Sequence, residues 1–259
     1  MLEFYKYHGA GNDFILIDNR DRVFDKNDTE NIKLLCHRHF GIGADGIILL
    51  ENHPDYNFEM IFINNDGSIG SMCGNGGRCI VHFADRILGI VGDPNNIEFK
   101  AVDGEHKAII GGNEVKLKMQ DITDISTRND LPFLSSGTTP HNIVFVEDIE
   151  NYPVLEEGRK IRYSDPEGMN TNFVEEKDGI FYVRTYERGV EYETMACGTG
   201  ATCVAIFAHH KGMLKENVCH IKMPGGDLKI EFIVNEETGN YENIWLSGPA
   251  VCVFKGKMK

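Results

Sequence analysis

Residues 73–79 read Cys73-Gly74-Asn75-Gly76-Gly77-Arg78-Cys79. The same pattern, Cys-Gly-x-Gly-x-x-Cys, returns 124 residues later (197 − 73) as Cys197-Gly198-Thr199-Gly200-Ala201-Thr202-Cys203. Both copies run into apolar residues at helical spacing, so each predicts a helix that begins directly after a cysteine. Because the chain has 259 residues, the motif occurs once in each half. The repeat indicates two related α/β units, and it is too long to be the period of a solenoid.

The sequence around each motif predicts short strands separated by turns. In the first half, strands are predicted at 2–7, 14–18, 47–50 and 58–63, followed by hairpins from 97 to 119 with turns at 103–104 and 111–113. In the second half, strands are predicted at 142–146, 171–175 and 181–187, with hairpin turns at 225–227 and 235–240. The polar stretch 121–132 separates the two sets. We therefore predict domains of residues 1–119 and 120–247, with a C-terminal strand in 248–259 that packs back on the first domain.

Three helices are predicted from caps and apolar spacing. The first runs from an N-cap at Asp28 to Gly41, and its buried face holds Ile32, Leu35, Cys36 and Phe40. The second follows Cys73 and turns Ile80, Phe83, Ala84 and Ile87 inward. The third follows Cys197, turns Val204, Ala205 and Ala208 inward, and ends near Gly212.

The composition is that of an acidic globular protein. It is 41% hydrophobic and 25% charged, with a net charge of −14 and no basic run. A phosphate backbone or an anionic membrane surface needs clustered cations, so neither is an expected partner. No apolar stretch approaches the roughly 20 residues that span a bilayer, and the N-terminus lacks the apolar core of a signal peptide. We therefore expect a cytoplasmic protein whose seven cysteines stay reduced.

The motif brings together a base and an anion site. A helix N-terminus favours a thiolate, so the pKa values of Cys73 and Cys197 are expected to be lowered. The Gly-x-Gly that follows allows backbone N–H groups to approach a carboxylate closely. Two such loops, facing each other in a cleft, could move a proton across a carbon centre, one thiolate removing it and the other thiol delivering one to the opposite face. The pattern thus predicts racemisation or epimerisation without a cofactor, and no lysine stands in a pyridoxal context.

Simpler roles are weighed beside this chemistry. A lone cysteine at a helix start is usually structural, and only the matched pair favours catalysis. A zinc site is disfavoured because Cys73 and Cys79 are six residues apart, about 600° around a helix, and do not share a face. No metal site is therefore predicted. The remaining cysteines are interpreted as core residues: Cys36, Cys79, Cys203, Cys219 and Cys252.

Four further residues carry an alternative beside a site role. Asn12 and Asn64 stand in turn-rich stretches and could be turn residues. Arg188 could form a surface ion pair, which contributes little. His141 is more typical of a satisfied buried histidine than of a base.

Taken in order, the motifs resemble those of diaminopimelate epimerase, a cofactor-independent enzyme of bacterial lysine and cell-wall synthesis. The resemblance covers nearly the whole chain. It rests on His8-Gly9-Ala10-Gly11-Asn12-Asp13-Phe14, Gly41-Ile42-Gly43-Ala44-Asp45-Gly46, Asn65-Asp66-Gly67-Ser68 with the first cysteine motif, Pro140-His141, Asn170-Thr171-Asn172-Phe173-Val174, Tyr186-Glu187-Arg188-Gly189 and the second cysteine motif.

The resemblance implies an α/β (α+β) fold of two similar domains, each a mostly antiparallel sheet wrapped on a central helix and related by pseudo-two-fold symmetry. It implies that Cys73 and Cys197 are the acid/base pair for LL- and meso-diaminopimelate. Gly74-Asn75 and Gly198-Thr199 would hold the reacting carboxylate. Substrate contacts would be completed by Asn12, Asn64, Asn170, Glu187 and Arg188, with His141 supporting Glu187. The small-molecule substrate would be the ligand, without a cofactor, and the resemblance implies a homodimer.

Three departures from the family pattern concern specificity. Gly46 stands where some members have Gln, and Thr139 stands where many have Asn. The loop from Arg188 to Cys197 is one residue longer than the shorter family form. The alternatives that remain are a related racemase for another amino acid, which would share both cysteines, and a non-catalytic binding or redox-sensing protein whose thiols pair.

Overall fold

A computed structural model describes residues 1–70, 72–112 and 114–258 of the chain. It divides into two compact units, Met1–Leu117 with Gly248–Lys259, and Lys118–Ser247. We call them unit 1 and unit 2. Asn113, which belongs to the predicted turn at 111–113, lies outside the described residues. Both units are mostly sheet with few helices, which confirms the mixed α+β class.

The strands of unit 1 pair in the order β17-β1-β2-β3-β4-β5-β6-β7. Their bounds are β1 (Leu2–Gly9), β2 (Asn12–Asp18), β3 (Gly46–Glu51), β4 (Phe58–Asn64), β5 (Ile97–Ala101), β6 (Gly104–Gly111), β7 (Glu114–Lys118) and β17 (Val251–Met258). Neighbours are antiparallel except β2/β3 and β4/β5, which are parallel. The C-terminal strand β17 runs along β1, with Leu2 opposite Met258 and His8 opposite Val251.

The strands of unit 2 pair in the order β8-β9-β10-β11-β12-β14-β15-β16. Their bounds are β8 (Ile125–Arg128), β9 (Leu131–Ser136), β10 (Thr139–Phe145), β11 (Asn170–Lys177), β12 (Ile180–Glu187), β14 (Val218–Met223), β15 (Gly226–Val234) and β16 (Tyr241–Pro249). The parallel pairs are β10/β11 and β12/β14. The short β13 (Tyr192–Thr194) pairs with the end of β12.

The two units therefore share one strand order, with the parallel pairs at the same places. They differ in the origin of one edge strand. Unit 2 takes β8 from the segment directly before β9, whereas unit 1 takes β17 from the C-terminal end of the chain. The predominance of antiparallel pairs agrees with the predicted fold class.

Each unit has a helix at its centre. In unit 1, α2 (Gly74–His82) is almost entirely buried and packs against strands of the sheet. Successive side chains of a strand point to opposite faces of the sheet. Leu16 and Ile48 therefore pack with α2 on one face, whereas Ile15 and Ile47 pack on the other face with α1 (Thr29–Cys36).

Unit 2 repeats this arrangement. Its central helix, α4 (Gly198–His210), is buried over most of its length. On the other face of the sheet, α3 (Val154–Tyr163) packs through Val154 against Phe173 and Tyr186. The sheet of unit 2 thus lies between α3 and α4, and Cys197 directly precedes α4.

The predicted first helix is too long. Asp28 does cap α1, since its side chain accepts a hydrogen bond from the Asn31 N–H at 3.2 Å. The helix ends at Cys36 rather than Gly41 because His37 adopts an extended backbone. Gly41 N–H then bonds to the His37 carbonyl in a separate turn. As a result Phe40 is 79% exposed, not buried.

Two further differences concern helices. After α2 the chain continues as a π-helical segment, Phe83–Ile87, in which Leu88 N–H bonds to the Phe83 carbonyl. The wider turn rotates later residues off the buried face, so Ile87 is 38% exposed, contrary to its predicted burial. α3 was not predicted, although Pro153 before it and the Glu156–Lys160 pair are helix signals.

None of the helices in the described ranges has the length and apolar character needed to cross a membrane.

Candidate active site

The predicted site residues fall into two sets, one in each unit. The first cysteine cluster consists of Asn12, Asn64, Cys73, Gly74 and Asn75. The second cysteine cluster consists of His141, Asn170, Glu187, Arg188, Cys197, Gly198 and Thr199.

Cys73 begins the central helix of unit 1. Its backbone is extended, and its carbonyl accepts the Gly77 N–H at 2.7 Å, so the first helical turn starts on Cys73. The side chain is half-buried, and its Sγ lies 3.5 Å from Asn12 Oδ1. The thiol therefore stands at the positive end of a helix and beside an amide oxygen.

Asn12 is the centre of the first cysteine cluster. It begins β2, and its Nδ2 donates to Asp45 Oδ2 at 2.6 Å. Its Oδ1 accepts from Asn75 Nδ2 at 3.2 Å as well as lying against Cys73. Asn75 Oδ1 in turn accepts from Arg78 Nη2 at 2.9 Å. The structure thus brings Asn12, Cys73 and Asn75 together, and joins them to two charged residues outside the predicted set.

The carboxylates beside Asn12 are held by cations. Arg38 Nη2 reaches Asp13 Oδ1 at 2.7 Å and Asp45 Oδ1 at 2.8 Å. Lys6 is 2.6 Å from Asp13 Oδ2. Burial would raise the pKa of Asp13, but the hydrogen bonds from Arg38 and Lys6 outweigh it and lower this pKa to about 2. Asp13 is therefore ionised at neutral pH.

Asn64 takes part in the turn that the sequence around it predicts. Its Nδ2 donates to Ser68 Oγ at 3.0 Å, and its N–H bonds to the Ser68 carbonyl at 2.8 Å. It lies opposite Gly46 in the β3/β4 ladder. These contacts shape the turn before Cys73, and a substrate role for Asn64 stays a prediction.

Cys197 begins the central helix of unit 2 in the same way. Its carbonyl accepts the Ala201 N–H at 2.9 Å, and its side chain is buried. Burial, followed by the charge of Glu187, raises the pKa of Cys197 well above its ordinary value. Hydrogen bonds from Thr199 and from the Gly200 N–H act in the opposite direction but do not prevail. The expected lowering of this pKa is therefore wrong, because the helix terminus is outweighed by loss of water and a neighbouring carboxylate.

His141 links the second cysteine cluster to Thr199. It is fully buried on β10, and its Nε2 lies 2.9 Å from Thr199 Oγ1. Burial, followed by the charge of Arg188, lowers the pKa of His141 to about 3, so the ring is neutral. Asn172 Nδ2 faces both the Asn142 carbonyl at 3.0 Å and His141 Nδ1 at 3.1 Å. Because the Asn142 carbonyl can only accept, the Asn172 atom that faces it is the nitrogen of the amide. The same NH₂ group therefore also donates to His141 Nδ1.

The ring proton of His141 therefore lies on Nε2 and is donated to Thr199. The 3.4 Å approach of Asn170 Nδ2 to the same Nε2 is then a contact between two N–H groups rather than a hydrogen bond. Thr199 Oγ1 is left to donate toward Cys197 Sγ, 3.5 Å away. Donors are thus ordered His141 to Thr199 to Cys197, which favours a thiolate at this sulfur.

Asn172 contacts the predicted site residue His141, although the sequence motifs do not single it out. It is fully buried, and its Oδ1 accepts from Thr185 Oγ1 at 2.9 Å. A signal was present, because Asn170 and Asn172 are two apart on a strand and so share a face. A Cβ at Gly200 would lie 2.3 Å from Asn172 Oδ1. The second glycine of the motif is thus needed for close packing of α4 on the strand.

The Glu187-Arg188 pair at the end of β12 is held by its neighbours. Glu187 Oε1 accepts from Thr194 Oγ1 at 2.6 Å. The Arg188 N–H donates to Asn170 Oδ1 at 2.8 Å. Arg188 Nη1 reaches the carbonyls of Glu167 and Gly168 at 3.2 and 3.3 Å. The guanidinium is therefore positioned by backbone carbonyls, unlike that of an ordinary surface ion pair.

The longer loop after Arg188 is anchored by arginines. Glu191 pairs with Arg162 at 3.2 Å, and Glu193 pairs with Arg184 at 2.6 Å. At Gly46, a Cβ would lie 2.6 Å from the Phe62 ring and 2.5 Å from the Ile63 carbonyl. The Phe62 ring therefore takes the space beside residue 46. Thr139 is the first residue of β10 and lies opposite Ser136.

The other cysteines are packing residues or lie at the sheet edge. Cys79, Cys203 and Cys219 are fully buried, and burial raises the pKa of each. All seven cysteines are free thiols. Within residues 1–70, 72–112 and 114–258, no cluster of three His, Cys, Asp or Glu side chains is placed to hold a metal ion.

The chain that carries these two clusters is similar in sequence to known proteins. The sequence model of the family described as diaminopimelate epimerase matches residues 4–121 and 133–253. A diaminopimelate epimerase of Flavobacterium psychrophilum is 46% identical over 259 residues, covering 98% of this chain and 99% of that protein. One from Aquifex aeolicus is 38% identical over 282 residues, covering 99% and 98%.

Solved structures of similar fold have much lower identity. A Bacillus anthracis phenazine biosynthesis protein of the PhzF family has a TM-score of 0.77 at 14% identity, covering 100% of this chain and 99% of that one. A probable proline racemase from Agrobacterium radiobacter has a TM-score of 0.70 at 15% identity, covering 100% and 93%. These likenesses show the fold, which confirms the prediction of two similar α+β domains.

Proposed function

Because this chain belongs to the diaminopimelate epimerase family, we propose that it interconverts LL- and meso-diaminopimelate through its two helix-initiating cysteines, without a cofactor. Membership of the family makes the chain an isomerase of the epimerase type. The observation that carries the finer proposal is the repetition. Each unit places a cysteine directly before its buried central helix, inside the same Cys-Gly-x-Gly motif.

In the proposed reaction, one sulfur removes the α-proton of the substrate and the other delivers a proton to the opposite face of the same carbon. One C–H bond breaks and one forms, so no redox partner is required. In the reverse direction the two sulfurs exchange roles. The raised pKa of Cys197 supports a role as acid at neutral pH, and it also makes the corresponding thiolate a stronger base.

The α-carboxylate is proposed to bind at Gly74-Asn75 and Gly198-Thr199, the first residues of α2 and α4. The first N–H groups of a helix have no partner within it, and the helix dipole favours an anion there. Charge that develops on the carboxylate as the α-proton leaves would be stabilised at the same place. Asn12, Asn64, Asn170, Glu187 and Arg188 are proposed to hold the rest of the substrate, with Arg188 favouring a second carboxylate.

The test is exchange of the α-proton in deuterated water with LL-diaminopimelate under reducing conditions. We expect solvent deuterium in the product together with formation of the meso isomer. Cys73→Ala and Cys197→Ala should each abolish epimerisation, because each face of the carbon needs its own sulfur. Wild-type turnover in either single variant would contradict the two-base scheme.

A substrate panel separates the related alternatives. One structure of this fold is described as a probable proline racemase, and another as a hydroxyproline epimerase. Preference for an amino acid with a single carboxylate would contradict the diaminopimelate proposal while retaining both sulfurs. A protein that catalyses no exchange and whose two thiols form a disulfide would instead be a redox or binding protein. We propose that the protein operates under the reducing conditions of the cytoplasm, where thiols persist.

A further inference from the structure

We propose that Arg78 and Asp45 are positioning residues that fix the amide orientations of Asn75 and Asn12, so that Asn12 presents its carbonyl oxygen to the Cys73 thiol. The inference adds two residues to the first cysteine cluster. It rests on the proposed acid/base role of Cys73 for its significance, but its test does not depend on that role.

A chain of hydrogen bonds has a group with only donors at one end and a group with only acceptors at the other. Arg78 has only N–H donors, and its Nη2 lies 2.9 Å from Asn75 Oδ1. The carboxylate of Asp45 offers only acceptors, and its Oδ2 lies 2.6 Å from Asn12 Nδ2. Between them Asn75 Nδ2 lies 3.2 Å from Asn12 Oδ1. In each of these hydrogen bonds the donor lies on the Arg78 side and the acceptor on the Asp45 side. The chain therefore runs in one direction, from Arg78 through Asn75 and Asn12 to Asp45.

Both ends require the same orientation of the amides. The oxygen and nitrogen of an asparagine amide have nearly the same shape, so an isolated Asn12 could present either one to Cys73. If Asn12 turned over, its oxygen would face the Asp45 carboxylate and its nitrogen would face Asn75 Nδ2. If Asn75 turned over, its NH₂ would face the Arg78 guanidinium. Each change replaces a hydrogen bond by a repulsive contact, so the charged ends hold both amides.

Arg78 is built into the unit rather than placed at its surface. It is completely buried. Its Nη1 reaches the Gly74 carbonyl at 3.2 Å, and its Nε reaches the Pro249 carbonyl at 3.3 Å. A buried cation needs acceptors on every side, and here one acceptor is the amide oxygen of Asn75. The corresponding residue of the second motif is Thr202, whose hydroxyl bonds to the Gly198 carbonyl at 2.9 Å. The buried arginine that binds an asparagine amide is therefore a feature of the first cysteine cluster.

The consequence falls on the Cys73 proton. A carbonyl oxygen 3.5 Å from Sγ accepts a hydrogen bond from a thiol and repels a thiolate. An NH₂ group in the same place would do the reverse. The fixed orientation of Asn12 therefore favours the protonated state of Cys73, and displacement of Asn12 from the sulfur would release that preference.

The experiment measures how the alkylation of Cys73 by iodoacetamide depends on pH. The native protein is used, and the Cys73 peptide is followed by mass spectrometry. Asp45→Asn preserves size but allows residue 45 to donate as well as accept, which removes one of the two contacts that hold the Asn12 amide. The contact with Asn75 Nδ2 remains, so Asn12 turns its nitrogen to the sulfur in only a part of the molecules. We expect the midpoint of Cys73 reactivity to fall by up to about one pH unit, which is up to about tenfold faster alkylation at neutral pH.

The matched control is Asp13→Asn. It removes a neighbouring carboxylate that shares Arg38, but the Asp13 carboxylate binds Lys6 and Arg38 rather than the Asn12 amide. A small shift in this control, beside a large one in Asp45→Asn, supports the proposal. An unchanged midpoint in Asp45→Asn, or an equal shift in both variants, overturns it, since the second result would reflect charge alone.

Asn12→Ala gives an independent measurement if Asp45→Asn unfolds, which thermal denaturation would reveal. Removal of the amide oxygen should also lower the Cys73 midpoint, and an unchanged value contradicts the proposal. Failure of the proposed function gives a different result. If Asp45→Asn shifts the Cys73 midpoint but the wild-type protein exchanges the α-proton of no amino acid, the positioning role is supported and the epimerase function is contradicted.

Discussion

Cys197 shows how two opposing effects act on one sulfur. The start of α4 and the Thr199 hydroxyl favour a thiolate, whereas burial and Glu187 favour a thiol. Burial prevails because a thiolate loses the solvation of water, while a helix terminus contributes only about 0.3–1 kcal/mol at typical exposed sites. A sequence shows that a cysteine precedes a helix, but it does not show how deeply that cysteine is buried or which carboxylate folds against it.

This balance predicts the effect of Glu187→Gln. Loss of the negative charge removes a cause that raises the pKa of Cys197, so this pKa should fall while burial keeps it above that of an ordinary thiol. Alkylation requires the thiolate, and we expect its rate at pH 7 to rise by about tenfold for a shift of one unit. The measurement is mass spectrometry of the Cys197 peptide after timed exposure to iodoacetamide.

Glu193→Gln is the control for that substitution. The Glu193 carboxylate is already paired with Arg184, at 2.6 and 2.7 Å. Its removal should leave Cys197 reactivity close to that of the wild type. Equal rates for the wild type and Glu187→Gln would show that Glu187 does not act on this sulfur.

At the scale of elements, the predicted strands and the two central helices agree with the structure because their signals are local. Asn64 and the residues after it form a turn, and α4 extends through the apolar run after Cys197. The errors occur where a helix ends early or changes its type. Phe40 is exposed because α1 ends early, and Ile87 is turned outward by a π-helical segment.

The same limit applies to the candidate site. The motifs identified Cys73 and Asn12, whose chemistry is visible in the sequence. They did not identify Asp45 or Arg78 as partners of the asparagine amides, because those contacts join residues on different elements. Asn172 was also missed, since its role depends on the approach of α4 to β11.

That approach predicts the effect of Gly200→Ala. Alanine favours a helix over glycine by about 1 kcal/mol, but its Cβ would lie 2.3 Å from the buried Asn172 Oδ1. Overpacking of this kind should prevail, and we expect the free energy of unfolding to fall by about 1–3 kcal/mol. Urea denaturation measures the change.

Gly92→Ala is the comparison, because nothing lies within 4 Å of a Cβ at that position. It should change the free energy of unfolding by a few tenths of a kcal/mol at most. If Gly200→Ala were as stable as Gly92→Ala, the strand and α4 would have to separate at little cost, contrary to the close packing described here.

At the scale of the whole molecule, the two units have the same strand order but do not have the same connection of their edge strands. Unit 2 is one continuous segment, Lys118–Ser247, whereas unit 1 needs Gly248–Lys259 as well. The repeat of the cysteine motif predicted two similar units. The interruption of unit 1 was suggested only by a strand left over at the C-terminus, because strand pairing between Leu2 and Met258 leaves no local signal.

This difference predicts the effect of ending the chain at Ala250. Loss of β17 leaves the backbone groups of β1 unpaired on one side, including those opposite Lys255 and Lys257. We expect faster hydrogen exchange throughout β1 and a lower thermal midpoint, with protection in unit 2 close to that of the full chain. Hydrogen exchange followed by mass spectrometry measures both.

A synthetic peptide of residues 248–259 serves as the control for that truncation. Added in excess, it should restore protection to β1 by pairing along the open edge. Protection of β1 that is unchanged in the truncated chain would show that β17 is dispensable for unit 1.

The late position of β17 has a consequence for the order of events during synthesis. The ribosome releases every residue of unit 2 before it releases the strand that completes unit 1. The carbonyl of Pro249, which accepts a hydrogen bond from the buried Arg78, also follows unit 2 in the chain. The cation that orients Asn75 therefore lacks one of its acceptors until unit 2 has been synthesised. Cys73 acquires its final surroundings only after that point, although it precedes the whole of unit 2, and a nascent protein that stalls before residue 248 carries an incomplete first cysteine cluster.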